Sequence, residues 1–172
     1  MRALSGSFSP DSIWRARGSS RESTSGRGQV VLFPDTFTDY NHPNLGMAAT
    51  KLLERLGFQV IIPSTRCCGR PMLSKGLINQ AIANAQYNIN VLSPYAHQGI
   101  KIVGWEPSCV LTIRDEYLDL LPGEDTNEVA KHTYLLEELL VELFEQGSLD
   151  LKFKETPRTV LFHGHCNQKA LI

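Results

Sequence analysis

Phe58-Gln59-Val60-Ile61-Ile62-Pro63-Ser64-Thr65-Arg66-Cys67-Cys68-Gly69-Arg70-Pro71 runs from an apolar, β-branched stretch through a short polar turn into two adjacent cysteines and a glycine. The first five residues read as a buried strand closed by Pro63. The other thiols repeat this placement. Cys109, in Glu106-Pro107-Ser108-Cys109, follows a predicted strand over residues 100–103, and Cys166, in His163-Gly164-His165-Cys166, follows one over 159–162. If these strands are parallel neighbours, every thiol lies along one edge of one sheet. The carboxyl ends of the strands are where open α/β sheets place their chemistry.

Working outward, Val30, Val31, Leu32 and Phe33 form a buried strand over residues 29–33, closed by Pro34. Pro43 suits a first helical position. Leu45, Ala49, Leu52, Leu53 and Leu56 then make one apolar stripe, stopped by Gly57. A helix over residues 75–96 carries Ile78, Ile82, Ala85, Ile89 and Leu92, and Gly99 separates it from the strand over 100–103. Pro107 opens another helix, which carries Leu111 and ends near Pro122-Gly123. Asp125 with Glu128 reads as the capping box of one long helix bearing Leu136, Leu139, Leu140, Leu143 and Phe144. The order β-α-β-α-β-α-α-β implies an α/β fold, a mostly parallel sheet with helices on both faces.

A chain of 172 residues is one domain by size, long enough to bury its own core. Apolar residues at 42% and charged residues at 20% fit a soluble globular protein. A net charge of -1 gives no electrostatic case for nucleic acid or a membrane surface. No apolar run approaches the roughly 20 residues of a spanning helix. No secretory segment precedes the four cysteines, so reduced thiols and a cytoplasmic setting are expected. Residues 1–28 are rich in Ser, Arg and Gly, with Asp11 and Glu22 as their acids, and show no apolar period. They read as disordered, as an organelle leader or as a mis-called gene start.

Val31-Leu32-Phe33-Pro34-Asp35 and Val160-Leu161-Phe162-His163-Gly164-His165-Cys166 echo each other, each an apolar strand entering a polar turn. The second turn should lead into a helix just where the chain stops, so a fragment of a longer protein is expected. Vicinal thiols fit a disulfide with one another poorly, but each can bind metal. Cys109 falls in the first turn of a helix, where free amides favour a thiolate, and Cys166 has His163 and His165 at hand. Plainer readings stand beside these. Each cysteine taken alone can be a small buried hydrophobe, and the two histidines can be ordinary turn residues. Structural zinc is disfavoured because the Cys-x-x-Cys spacing is absent. Neither a Gly-rich phosphate loop nor a convincing catalytic triad is present, and Arg114-Asp115-Glu116 reads as a solvated helix face.

Cys67-Cys68-Gly69-x-Pro71, Glu106-Pro107-Ser108-Cys109 and His163-Gly164-His165-Cys166-Asn167-Gln168-Lys169-Ala170 together resemble the cysteine-rich CCG domain. That domain occurs in heterodisulfide reductase, in the iron–sulfur subunit of glycolate oxidase and in anaerobic glycerol-3-phosphate dehydrogenase. Leu32-Phe33-Pro34-Asp35-Thr36-Phe37-Thr38 and Glu116-Tyr117 look closest to the C-terminal part of FAD-linked oxidases and D-lactate dehydrogenase-like proteins. The family pattern is a lone cysteine, a CCG and a C-x-x-C, occurring twice. Here Asp35 stands in place of the leading cysteine, 32 residues before Cys67, and Glu106 in place of the first cysteine of C-x-x-C.

The resemblance implies that residues 29–172 are the first half of a duplicated domain, truncated at its C-terminus. Cys67, Cys68 and Cys109 would be ligands of an iron–sulfur cluster of the 4Fe–4S type, with Asp35 and Glu106 as substitute ligands or polar lining. Cys166 would belong to a second site. The implied function is an electron-transfer module of a flavin-dependent 2-hydroxy-acid oxidoreductase of the lactate or glycolate type. FAD would lie on a missing part or a partner flavoprotein, and the acceptor would be a protein or a quinone, with membrane association through partners. This chain alone would not turn over substrate. The alternative is a non-catalytic scaffold or interaction remnant with no bound cluster.

Overall fold

The computed structural model describes residues 26–149 and 156–171. The expectation of disorder over residues 1–28 lies outside them up to position 25. Arg27 and Gly28 are tied to the sheet, through Arg27 N to Gly57 O (3.3 Å) and Gln59 N to Gly28 O (2.9 Å).

Four strands, β1 (Gln29–Leu32), β2 (Gln59–Ile61), β3 (Lys101–Gly104) and β4 (Thr133–Leu135), form an all-parallel sheet in the order β2-β1-β3-β4. Val30 pairs with Val60, Val31 with Ile102, and Val103 with Tyr134. Side chains alternate between two faces, and both faces are covered, as parallel sheets require. On one face Val30, Leu32 and Val103 pack on Leu53 and Leu56 of helix α2 (Pro43–Arg55) and its C-terminal stop. They also meet Leu139 and Leu143 of α8 (Leu136–Glu145). On the other, Val31, Phe33 and Ile102 pack on Ala85, Ile89 and Leu92 of α4 (Ile78–Ala96) and on Val129 of α7 (Glu124–Lys131). Between β3 and α7 the chain runs through α5 (Pro107–Leu111), a π-helical turn (Thr112–Glu116) and α6 (Tyr117–Leu120). Short helices α1 (Thr36–Asn41), α3 (Arg70–Leu73) and α9 (Cys166–Leu171) follow the cysteine-bearing turns or their counterparts.

The α/β fold and its first three strands stand where the sequence puts them. The fourth strand does not. Residues 156–165 form neither helix nor strand, and Val160, Leu161 and Phe162 are exposed. The place beside β3 is taken instead by β4, with Ile102 N donating to His132 O at 2.8 Å. Residues 159–162 pair with no strand among the described residues, and an isolated strand is not stable in water. The single long helix expected after Asp125 is accordingly two, α7 and α8, with β4 between them. Thr133 and Leu135 point inward and are fully buried, which helical continuation would not permit. Leu45, Ile78 and Phe144, expected on buried stripes, are exposed. Arg114 and Glu116 do not form a solvated face. Arg114 pairs with Glu138 (2.7 and 3.0 Å) and Glu116 pairs with Arg70.

Candidate functional site

From β1 the chain crosses first to β2 on one side, then returns to β3 on the other. The crevice beyond the carboxyl ends of β1 and β3 is therefore the topological switch point of the sheet. Asp35 leaves β1, Cys67 and Cys68 leave β2, and Glu106 with Cys109 leaves β3.

Cys68 is buried, and its thiol donates to Cys109 Sγ at 3.1 Å. Cys67, half-buried, precedes Cys68 in the same turn, and the Thr36 hydroxyl from the β1 exit lies beside it. Of the three sulfurs, Cys68 and Cys109 are in direct contact and Cys67 stands next to them in the chain. The Cys67 thiol is pushed far above its ordinary range, first by donating to Cys68 and then by burial. Cys68 is pushed up as well, first by donating to Cys109, with burial adding to it. Both are neutral thiols at pH 7 in the metal-free chain.

The turn is held by its backbone. Tyr117 OH donates to Cys68 O at 2.9 Å and accepts from Asn88 Nδ2 at 3.0 Å. Asn88 also closes on Arg66, taking Arg66 N at 2.7 Å and donating to Arg66 O at 3.1 Å, while Asn84 donates to Cys67 O at 3.2 Å. Asn88 and Tyr117 are fully buried, so each bond is shielded from water and its loss would strand a partner. Burial also drives the Tyr117 phenol well above its ordinary range. Gly69 has φ +92°, a left-handed conformation that lets the chain turn from Cys68 into α3. Gly104 closes the other side. A Cβ there would meet Val110 Cγ2 at 2.6 Å, so only glycine lets α5, with Cys109, lie this close to the end of β3.

Asp35 and Glu106 cap helices. Asp35 Oδ1 accepts from Thr38 N at 2.8 Å at the start of α1, and Glu106 Oε1 accepts from Ser108 N at 3.2 Å at the start of α5. Asp35 is buried, and its Oδ2 has no hydrogen-bond partner among the described residues. Desolvation pushes its carboxyl up, against the Thr38 bonds, and the nearby Glu106 adds to the rise.

Cys166 stands apart. It opens α9, is exposed, and contacts Asn167 Oδ1 at 3.8 Å. His165 Nδ1 accepts from Asn167 N at 3.2 Å. α9 lies against α5, but no hydrogen bond joins the Cys166 sulfur to the other three among the described residues.

In kind, the donors suit a thiophilic metal or iron–sulfur cluster: three soft sulfurs and a buried carboxylate with a free oxygen. Their spacing is that of hydrogen-bonded thiols. Two thiolates on one tetrahedral zinc lie about 3.8 Å apart, from bonds of about 2.3 Å, so binding requires Cys68 and Cys109 to spread. Among the described residues no three His, Cys, Asp or Glu side chains are gathered around a single ion position. Asn84 and Asn88 escape a reading of motifs, and Glu116-Tyr117 enters it as a resemblance without the role of the Tyr117 hydroxyl. One signal was legible: Asn88 stands on the stripe of Ala81, Ala85 and Leu92, a polar residue on a buried helical face.

Residues 31–114 match the cysteine-rich domain family, CCG. One subunit of anaerobic glycerol-3-phosphate dehydrogenase from Escherichia coli (strain K12) is 28% identical over 147 residues, 84% of this chain and 37% of that protein. D-2-hydroxyglutarate dehydrogenase of the same strain is 30% identical over 143 residues, 83% of this chain and 14% of the relative. Lactate utilization protein A of Exiguobacterium sp. (strain ATCC BAA-1283 / AT1b) is 28% identical over 149 residues, 83% and 58%. The chain therefore spans only part of each of these relatives. No solved structure matches. No helix among the described residues is long and apolar enough to cross a membrane.

Proposed function

We propose that this chain, whose residues 31–114 match the cysteine-rich CCG family, serves as the electron-transfer module of a flavin-dependent dehydrogenase acting on a 2-hydroxy acid. Lactate and 2-hydroxyglutarate appear in the names of two relatives, which supports that substrate class. The observation that carries the reading is the Cys68–Cys109 contact, with Cys67 and Asp35 leaving the neighbouring strands at the same carboxyl edge of the sheet. Cys67, Cys68 and Cys109 would hold an iron–sulfur cluster, with Asp35 and Glu106 as the oxygen donors nearest to it. Such a cluster supplies one-electron transfer. The chain's own residues do the rest. Asn88 and Tyr117 fix the Cys67-Cys68 backbone, the Gly104 contact sets the depth of Cys109, and burial keeps water from Cys68. The flavin and the hydroxy-acid site would lie on another part of the protein or a partner subunit. A protein or quinone would accept the electrons, in the cytoplasm or at a membrane through that partner.

One observation favours a second reading. Both carboxylates are already used as helix caps, which is what a scaffold without a cluster needs of them. Anaerobic reconstitution separates the two. Stoichiometric iron and sulfide with visible absorption, lost on replacing Cys67 and Cys68 by serine, is the expected result. A colourless protein with four titratable thiols would leave the scaffold reading.

A further inference from the structure

Cys68 Sγ and Cys109 Sγ lie 3.1 Å apart, the closest sulfur pair shown among the described residues. Cys109 is half-buried, whereas Cys68 is only 1% exposed. The two sulfurs are 3.1 Å apart and belong to different strand exits, 41 residues apart in sequence, so no vicinal strain opposes a bond between them. Cys67 and Cys68 are adjacent, and standard disulfide geometry fits poorly across one peptide unit.

We propose that Cys68 and Cys109 are a redox-active dithiol, oxidised to an intramolecular disulfide by a low-molecular-weight disulfide of the glutathione type. Cys109 attacks through its sulfur and releases its proton. A bond forms from its sulfur to one sulfur of the small disulfide, whose S–S bond breaks, and the departing thiolate takes up the proton Cys109 released. Cys68 then attacks Cys109 Sγ, expelling the second small thiol, which takes the Cys68 proton. The protein pair loses two electrons, and the small disulfide gains them as two thiols. Closing from 3.1 Å to a bond of about 2.05 Å needs roughly 1 Å of sulfur movement. That is within reach of side-chain rotation at a half-buried helix start. The pair stands on its own geometry, whether or not the site takes a metal. Where it does, oxidation removes two of the three sulfurs and closes the site.

The test equilibrates the full, metal-free chain in anaerobic buffers of graded reduced and oxidised glutathione, followed by acid quench, maleimide labelling and intact mass. The expected product takes up two labels instead of four. Its proteolytic map joins the Cys68 and Cys109 peptides. Cys109→Ser abolishes it and Cys166→Ser does not. Four labels at every buffer ratio would overturn the proposal. So would glutathione retained as a stable adduct on Cys109, or a crosslink that includes Cys67 or Cys166. The map of the unmutated chain decides the matter even if a variant folds poorly, and failure to bind iron leaves this outcome unaffected.

Discussion

Val31-Leu32-Phe33 and Val160-Leu161-Phe162 are the same three residues in the same order, and they fold in opposite ways. The first are 0%, 0% and 2% exposed, in and beside the central strand β1. The second are 77%, 98% and 83% exposed. Each leads into a polar turn and then a helix, α1 in one case and α9 in the other. The difference lies in their neighbours. β1 has β2 on one side and β3 on the other, and Phe33 N donates to Val103 O at 2.8 Å just past the strand. The later stretch has no paired strand among the described residues. Strand propensity measures how well a side chain fits a pleated, packed surface, and without that surface it yields an extended, open chain. The chemistry follows. The turn after β1 leaves Asp35 buried at the sheet edge that also carries the buried Cys68, whereas the turn after Phe162 leaves Cys166 in solvent.

The comparison is broken most forcefully at its centre. Leu32→Ala removes a fully buried side chain from β1 and should cost about 2–5 kcal/mol. Leu161→Ala, at an exposed position, should change stability by no more than about 0.5 kcal/mol. Urea unfolding of the two variants reads both. Comparable losses would mean that residues 160–162 are packed against something in solution, and the contrast between the two turns would fall. Gly104→Ala comes next. Its new Cβ must displace Val110, a buried side chain, at a cost of about 1–3 kcal/mol. It should also carry α5 outward, so that Cys109 and Cys68 alkylate faster. Unchanged alkylation rates would show that Cys109 is not placed by this contact.

Tyr117→Phe sharpens the comparison at the turn itself. It keeps the ring and deletes a hydroxyl that serves Cys68 O and Asn88 Nδ2, at about 1–3 kcal/mol for the stranded buried groups. Cys68 should become reactive at a rate that no longer tracks global unfolding, while the rate at Cys166 should stay the same. Parallel changes at both thiols would mean that the network supports the fold at large, not this turn.

Much of this architecture is legible in the sequence where punctuation and period agree. Pro34, Pro43, Gly57, Pro63 and Gly99 bracket three strands and two helices close to where they stand. The fourth strand is lost because β4 has three residues, too few for a period, inside a stretch whose leucines recur at helical spacing. The strand expected at 159–162 is locally right and lacks only a partner, which no local pattern reports. In the site, the cysteines declare themselves by placement at strand exits. Their supports do not, because Tyr117 reaches Cys68 across 49 residues and Asn88 across 29. A hydroxyl and an amide carry no motif until the fold joins them.

The smallest expected effect bears most directly on what the site is for. Asp35 holds its proton more tightly when folded than when unfolded, because burial disfavours its charge. Between the ordinary value of 3.8 and the raised folded value the native state binds more protons than the unfolded chain. Its contribution is therefore fully present below 3.8, falls as pH rises through that window, and is constant above it. Asp35→Asn keeps an oxygen to cap Thr38 N and removes the charge. In the metal-free chain it should gain on the unmutated protein as pH rises through the window, read as a widening difference in unfolding midpoint. A cation bound at the site reverses the sign. A charged Asp35 would then be paired, the unmutated protein would gain with rising pH, and the asparagine variant would fall behind. The same titration with and without reconstituted iron thus separates a carboxylate kept as a helix cap from one kept as a ligand. A difference that does not depend on pH in either state would mean that Asp35 keeps its ordinary titration in the fold, contrary to its burial.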